Sequence, residues 1–166
     1  MNMNERSRSD WVQRVKRSVV KIHAVEREFN FEEPYKLGED QGVCGSGFFV
    51  DQMVIFGKEL FPKCRVLLTN SHVVEEAPTK TCRINFPDCG RSNLSCQIAY
   101  ICPAHEIDVA VLVLDPRKQD NWFEPVSAVE FVRDIPNLDF EADKMCGMAE
   151  EVVAIGYPLD SEDCVA

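Results

Sequence analysis

Six short segments of β character occur within about 100 residues, each bounded by glycine, proline or asparagine, and this spacing limits the chain to a sandwich or a small barrel. Ser18 opens the first: Val20, Ile22 and Ala24 alternate with Lys21 and His23, the period of a half-buried strand. His23 falls on its polar face. Val43 to Asp51 follows a loop containing Pro34 and Gly38, and is too apolar on both faces for a surface strand. Further strands read at Cys64 to Asn70, Lys80 to Phe86, Leu94 to Cys102 and Asp108 to Leu114.

Outside these six, the pattern predicts a short helix over Asp10 to Arg17, with Asp10 as its cap and Trp11, Val12 and Val15 as its apolar side. Asp115 to Ala149 has no clear periodicity and reads as an interdomain connection. Glu151 to Tyr157 (E-V-V-A-I-G-Y) reads as a seventh strand. The chain thus divides into an N-terminal segment (1–17), a β domain (18–114), a connection (115–150) and the beginning of another unit (151–166).

Charge removes two classes of partner. Eighteen basic against twenty-eight acidic residues give a net charge of −10, which repels both a phosphate backbone and an anionic membrane surface. No apolar run approaches the roughly 20 residues of a membrane-spanning helix. Met1 to Asp10 is polar and lacks the apolar region of a secretory signal, so an intracellular, cytoplasmic location is expected; Arg6, Arg8 and Arg14 leave an organelle open, although Glu5 and Asp10 oppose a transit peptide. In that reducing setting the eight cysteines are expected as free thiols.

Three histidines offer a small choice of base. His72 sits just after an apolar strand, within Leu67 to Val74, where a strand end presents a side chain to a cleft. Asp108 begins another, Val109 to Leu114, and a carboxylate at the edge of a core needs a partner to offset desolvation. A histidine N–H is such a partner. Taken alone, the pair proves little, and a structural histidine with a helix- or turn-capping aspartate is the plainer reading.

Four motifs in fixed order bear on that choice: G-S-G-F-F-V (Gly45 to Val50), L-L-T-N-S-H-V-V (Leu67 to Val74), D-V-A-V-L (Asp108 to Leu112) and V-A-I-G-Y-P (Val153 to Pro158). With R-S-V-V-K-I (Arg17 to Ile22) ahead of them, they closely resemble the HtrA/Deg family of trypsin-like serine proteases over residues 11 to 160. Ser71 stands where that family commonly has alanine.

The resemblance implies an all-β fold: the first of the two six-stranded barrels of a chymotrypsin/trypsin-like enzyme, after a short N-terminal helix, with Glu151 to Tyr157 as the first strand of the second barrel. His72 would be the general base and Asp108 the carboxylate that orients it, in an endopeptidase that hydrolyses protein or peptide substrates without a cofactor or metal. A homo-oligomer of the full-length protein and a PDZ domain are among the family's options. The nucleophile motif, G-x-S-G-G, belongs later in the second barrel, with the oxyanion hole and the substrate pocket. It is absent from these 166 residues, so the chain alone is expected to be inactive, its serine supplied by sequence beyond Ala166. The alternative is a non-catalytic trypsin-fold module that binds or regulates.

Other chemistries fit less well. Ser46 precedes the histidine and belongs to the second strand, so it is not expected to be the nucleophile. Asp40 to Phe48 resembles the papain segment C-G-S-C-W, but Gly47 stands where the catalytic cysteine belongs. Cys82, Cys89, Cys96 and Cys102 near His105 include no C-x-x-C pair for zinc. Alternation instead places Cys82 with Ile84 and Phe86, and Cys96 and Cys102 with Leu94, Ile98 and Tyr100, as small core hydrophobes. In secreted trypsin relatives a cysteine next to the second strand's glycines pairs with one after the histidine; Cys44 matches the first place, but Val73 fills the second.

Overall fold

The computed structural model describes residues 5–29, 37–51, 60–61, 63–75, 77, 81–86, 91–102, 105–115, 133–138, 152–158 and 165. A helix, α1 (Glu5–Lys16), leads into six strands: β1 (Val19–Phe29), β2 (Leu37–Val50), β3 (Arg65–Thr69), β4 (Thr81–Phe86), β5 (Arg91–Cys102) and β6 (Val109–Leu114). They close into a barrel in the order β1-β2-β3-β6-β5-β4, with every neighbouring pair antiparallel. Closure removes the sheet edges within the ring, while the β1–β2 hairpin continues past it to Phe29↔Leu37. The all-β, six-stranded barrel after a short helix, expected of a first trypsin-like barrel, is the architecture observed.

Period-two alternation decides what fills the interior. Val20, Ile22 and Ala24 point inward from β1 and meet Phe49, Leu67, Ile84, Cys96 and Leu112. Phe49 stacks on Phe86 at a centroid distance of 5.9 Å, and the Arg65 guanidinium lies 4.8 Å from the other partner of that stack, the Phe49 ring. Cys82 and Cys96, opposite each other on β4 and β5, are buried as free thiols, in line with their reading as core hydrophobes. Cys89 lies outside the described residues. β2 is apolar on its outer face as well because Val50, Val66 and Val111 form a second buried cluster outside the barrel.

Some expectations are corrected. The helix begins before Asp10, which lies within it rather than at its cap; the polar stretch from Glu5 to Ser9 gives no apolar periodicity by which to see it. On β5 a bulge between Ile98 and Tyr100 shifts the register against β6, turning Tyr100 outward, where it is 58% exposed, while Ile101 takes the place against the core. Alternation carried past Ile98 puts Tyr100 on the wrong side. Described residues of the stretch after Asp115 are packed on the barrel: Ile135 joins the core, the Ile135 carbonyl and Asn137 Oδ1 accept hydrogen bonds from Arg65 Nη2, and the Leu138 N–H donates to the Phe49 carbonyl.

The segment read as a seventh strand, of which Glu151 lies outside the described residues, makes no ladder over Val152–Pro158. Gly156 alone bridges Val165. The segment is held from the side instead: the Tyr157 N–H donates to Ser46 Oγ at 2.7 Å, and Ile155 and Tyr157 pack on Val19 and Phe48. A Cβ on Gly156 would lie 2.9 Å from Ser46 Oγ, so the close approach depends on glycine there. Among the described residues no helix is long and apolar enough to cross a membrane.

The bulge makes neighbouring apolar positions unequal. Leu112→Ala is expected to destabilise the barrel by about 2–5 kcal/mol, the usual cost of emptying a core site, and Tyr100→Ala by about 0.5 kcal/mol or less, as for an exposed side chain. Urea unfolding of both variants checks this; equal losses would mean that Tyr100 faces inward.

Candidate active site

The site is a product of the pairing between β3 and β6. Their last matched pair is Thr69↔Ala110, and continuing that antiparallel register by two residues brings Asp108 alongside Ser71. Beyond Thr69 the chain turns into a single 3-10 turn, Ser71–Val73, closed by hydrogen bonds from the Val74 and Glu75 N–H groups to the Ser71 carbonyl. Ser71 and Val73 point inward and anchor the turn, which leaves the imidazole of His72 between them facing out. Its side chain is 63% exposed.

Glycine makes room for this turn. A Cβ on Gly45 of β2 would lie 2.5 Å from Val73 Cγ2, and one on Gly47 would lie 2.5 Å from Ile22 Cδ1 and 3.0 Å from the Leu68 carbonyl. The G-S-G of β2 is therefore a packing requirement: two missing side chains let Val73 and Ile22 into the barrel, and Val73 seats His72.

Four donors converge on the Asp108 carboxylate. Oδ1 accepts from the His72 backbone N–H at 3.0 Å and from Ser71 Oγ at 2.8 Å. Oδ2 lies 2.7 Å from His72 Nδ1 and accepts from Asn70 Nδ2 at 3.0 Å, while that same amide also donates to the Asp108 carbonyl. The His72 backbone donor, with the Ser71 hydroxyl next and the imidazole and Asn70 after it, holds the carboxyl well below the usual carboxylate range against a smaller opposing effect of desolvation. An ionised carboxylate can only accept, so Nδ1 carries the proton of the imidazole. Nε2 is left as the outward nitrogen, and no described residue bonds it. A neutral imidazole in this tautomer presents a lone pair that can take a proton from a hydroxyl placed before it.

His72 and Asp108, separated by 36 positions, are thus brought together. Asn70 and Ser71 complete the cradle and were not singled out by the sequence as carboxylate ligands; the signal that points to them is two short polar side chains directly before the histidine. His105 is on the surface, 3.9 Å from Glu106, and His23 lies on the β1–β2 face. Ser46 is engaged elsewhere, with its Oγ taking the Tyr157 N–H and its carbonyl the Thr69 hydroxyl. No group of three or more metal-ligating side chains occurs among the described residues.

No protein-family model matches the chain, and no curated protein matches it. Among solved structures, an HtrA-type protease determined with a decapeptide is similar over 64% of this chain, with 21% sequence identity and a TM-score of 0.44. The chain spans about a third (32%) of that protein's length.

Because folding lowers the affinity of Asp108 for its proton, its ionised form contributes stability that is present above the unfolded carboxylate pKa of about 3.9 and is lost as pH falls below it. Asp108→Asn is therefore expected to be less stable than the unaltered chain near pH 7, with the gap shrinking progressively below about pH 4. Urea midpoints across that range measure it, and a gap independent of pH would sink the assignment. Ser71→Ala removes one donor and should raise the Asp108 titration midpoint, read by carboxyl carbon-13 NMR.

Proposed function

We propose that the chain supplies the acid–base part of a trypsin-like serine endopeptidase of the HtrA/Deg type. In this reading His72 takes the proton of a nucleophilic serine at Nε2 and returns it to the leaving amine, while Asp108 keeps the Nδ1–H tautomer and stabilises the imidazolium formed in between. The observation that carries the reading is the 2.7 Å contact of His72 Nδ1 with a carboxylate already fixed by the His72 backbone N–H, Ser71 and Asn70. A structural histidine would not require so exposed a ring or so many donors on its partner.

The order of the four motifs supports the finer assignment, and the substrate class it implies is protein or peptide. The nucleophile, the oxyanion hole and the side-chain pocket belong to a second barrel that begins near Val153 to Pro158. Ser46 is set aside because its hydroxyl already accepts the Tyr157 N–H on the outer face of β2. Protons alone do not cleave a peptide bond at useful rates, and the 166 residues contain no G-x-S-G-G.

In a chain that continues into such a motif, the serine is expected to take a fluorophosphonate label, and His72→Ala to abolish that labelling and lower kcat by roughly a million-fold, the scale of losing a triad base. Labelling left intact in His72→Ala would remove His72 from the mechanism. A gene product whose coding sequence stops without the motif would instead make the barrel a non-catalytic binding or regulatory module.

A further inference from the structure

β1 and β2 pair with His23 directly opposite Cys44, and the thiol sulfur lies 3.1 Å from His23 Nδ1. Both side chains are half-buried. They stand on the outer face of the barrel, because the residues that alternate with His23, Ile22 and Ala24, are buried inside it. The pair is separate from the site at Asp108: it is held by β1 and β2, whereas His72 and Asp108 sit at the ends of β3 and β6.

A thiol becomes a nucleophile when it gives up its proton, and an imidazole within hydrogen-bond reach is the usual acceptor. The neighbouring strand adds positive charge to the same face, since β4 places exposed Arg83 opposite His23, and Lys21 precedes His23 on that face of β1. Three of the other described thiols, Cys82, Cys96 and Cys102, lack this arrangement. Burial pushes the Cys82 thiol up to about 12 and the Cys96 thiol well above its ordinary value, which makes both inert. Cys102 is 4.0 Å from the Glu106 carboxylate rather than beside an imidazole.

We propose that Cys44 and His23 form a modification site, a nucleophilic thiol with its own base, and that the reagent it takes is a small hydroperoxide. Half-burial admits a two-oxygen molecule more readily than a folded partner, and the reaction needs nothing else from the chain. With hydrogen peroxide, the sulfur attacks one oxygen, the S–O bond forms as the O–O bond breaks, and the thiol proton passes through His23 to the departing hydroxide, which leaves as water. Sulfur is oxidised to the sulfenic acid and the peroxide is reduced. The oxidised sulfur then lies one residue from Gly45, whose backbone packs against Val73 beside His72.

The test is peptide-level mass spectrometry of the folded chain at pH 7, after limiting hydrogen peroxide in the presence of dimedone, which traps sulfenic acids. Cys44 is expected to acquire the trap at least about ten times faster than Cys64 or Cys102, the scale of a one-unit change in thiolate availability, and His23→Gln to remove that advantage. Equal rates at the three cysteines would overturn the proposal, as would an advantage that survives in His23→Gln with an unchanged thermal midpoint. Should that variant fail to fold, the comparison among the three cysteines of the unaltered chain decides the matter. None of these readouts depends on His72 or on a serine nucleophile, so the site stands or falls apart from the protease reading.

Discussion

The pairing of β3 with β6 is the constraint on which the rest of the molecule depends. Five matched residue pairs, from Arg65↔Leu114 to Thr69↔Ala110, join segments that are distant in sequence and complete the ring of strands. A slip of one residue would carry Leu67 and Leu112 from the core to the outside, so burial fixes the register. The same register delivers Asp108 to Ser71 and His72. Folding and assembly of the candidate site are therefore a single event: the loop-closure entropy spent in joining β3 to β6 is spent once for both.

Placing a carboxylate where a core begins is costly unless its oxygens are satisfied, and this chain satisfies them from one short stretch. Asn70, Ser71 and His72 supply all four donors, two from side chains that only brace and two from the histidine itself. The bracing matters to chemistry because an imidazole works as a base only in one tautomer and one orientation. Ser71, buried and bonded, does this from within the barrel. The turn that carries these residues rests in turn on Val73 entering the space that Gly45 leaves open.

Much of this was legible because it rests on period and order. The alternation of Val20, Ile22 and Ala24 fixes the inward face of β1, and the four motifs place His72 and Asp108 before any geometry is known. Where the sequence misleads, the reason is local. Nothing in Ile98-Ala99-Tyr100 announces a bulge, since a bulge arises from matching two strands and not from either one. Ile135 joins the core from a stretch without periodicity because a single anchored side chain has no period. Val152–Tyr157 looks like a strand by composition, but a strand requires a ladder partner, and its main chain meets an isolated bridge from Gly156 to Val165 and the Ser46 side chain instead. The contact of His23 with Cys44 was hidden for a related reason: their positions, 21 residues apart, meet only once the register of β1 against β2 is known.

The docking of Ile155 to Tyr157 on β1 and β2 has a mechanical consequence. Tyr157 is pinned by a hydrogen bond to Ser46 and by packing on Val19 and Phe48, and Gly156 beside it exchanges backbone hydrogen bonds with Val165. Ser46 directly follows Gly45, against which the turn bearing His72 is packed, so Tyr157 and the imidazole are referenced to the same stretch of β2. A displacement of that stretch carries both together, and the distance between them is a property of the barrel alone.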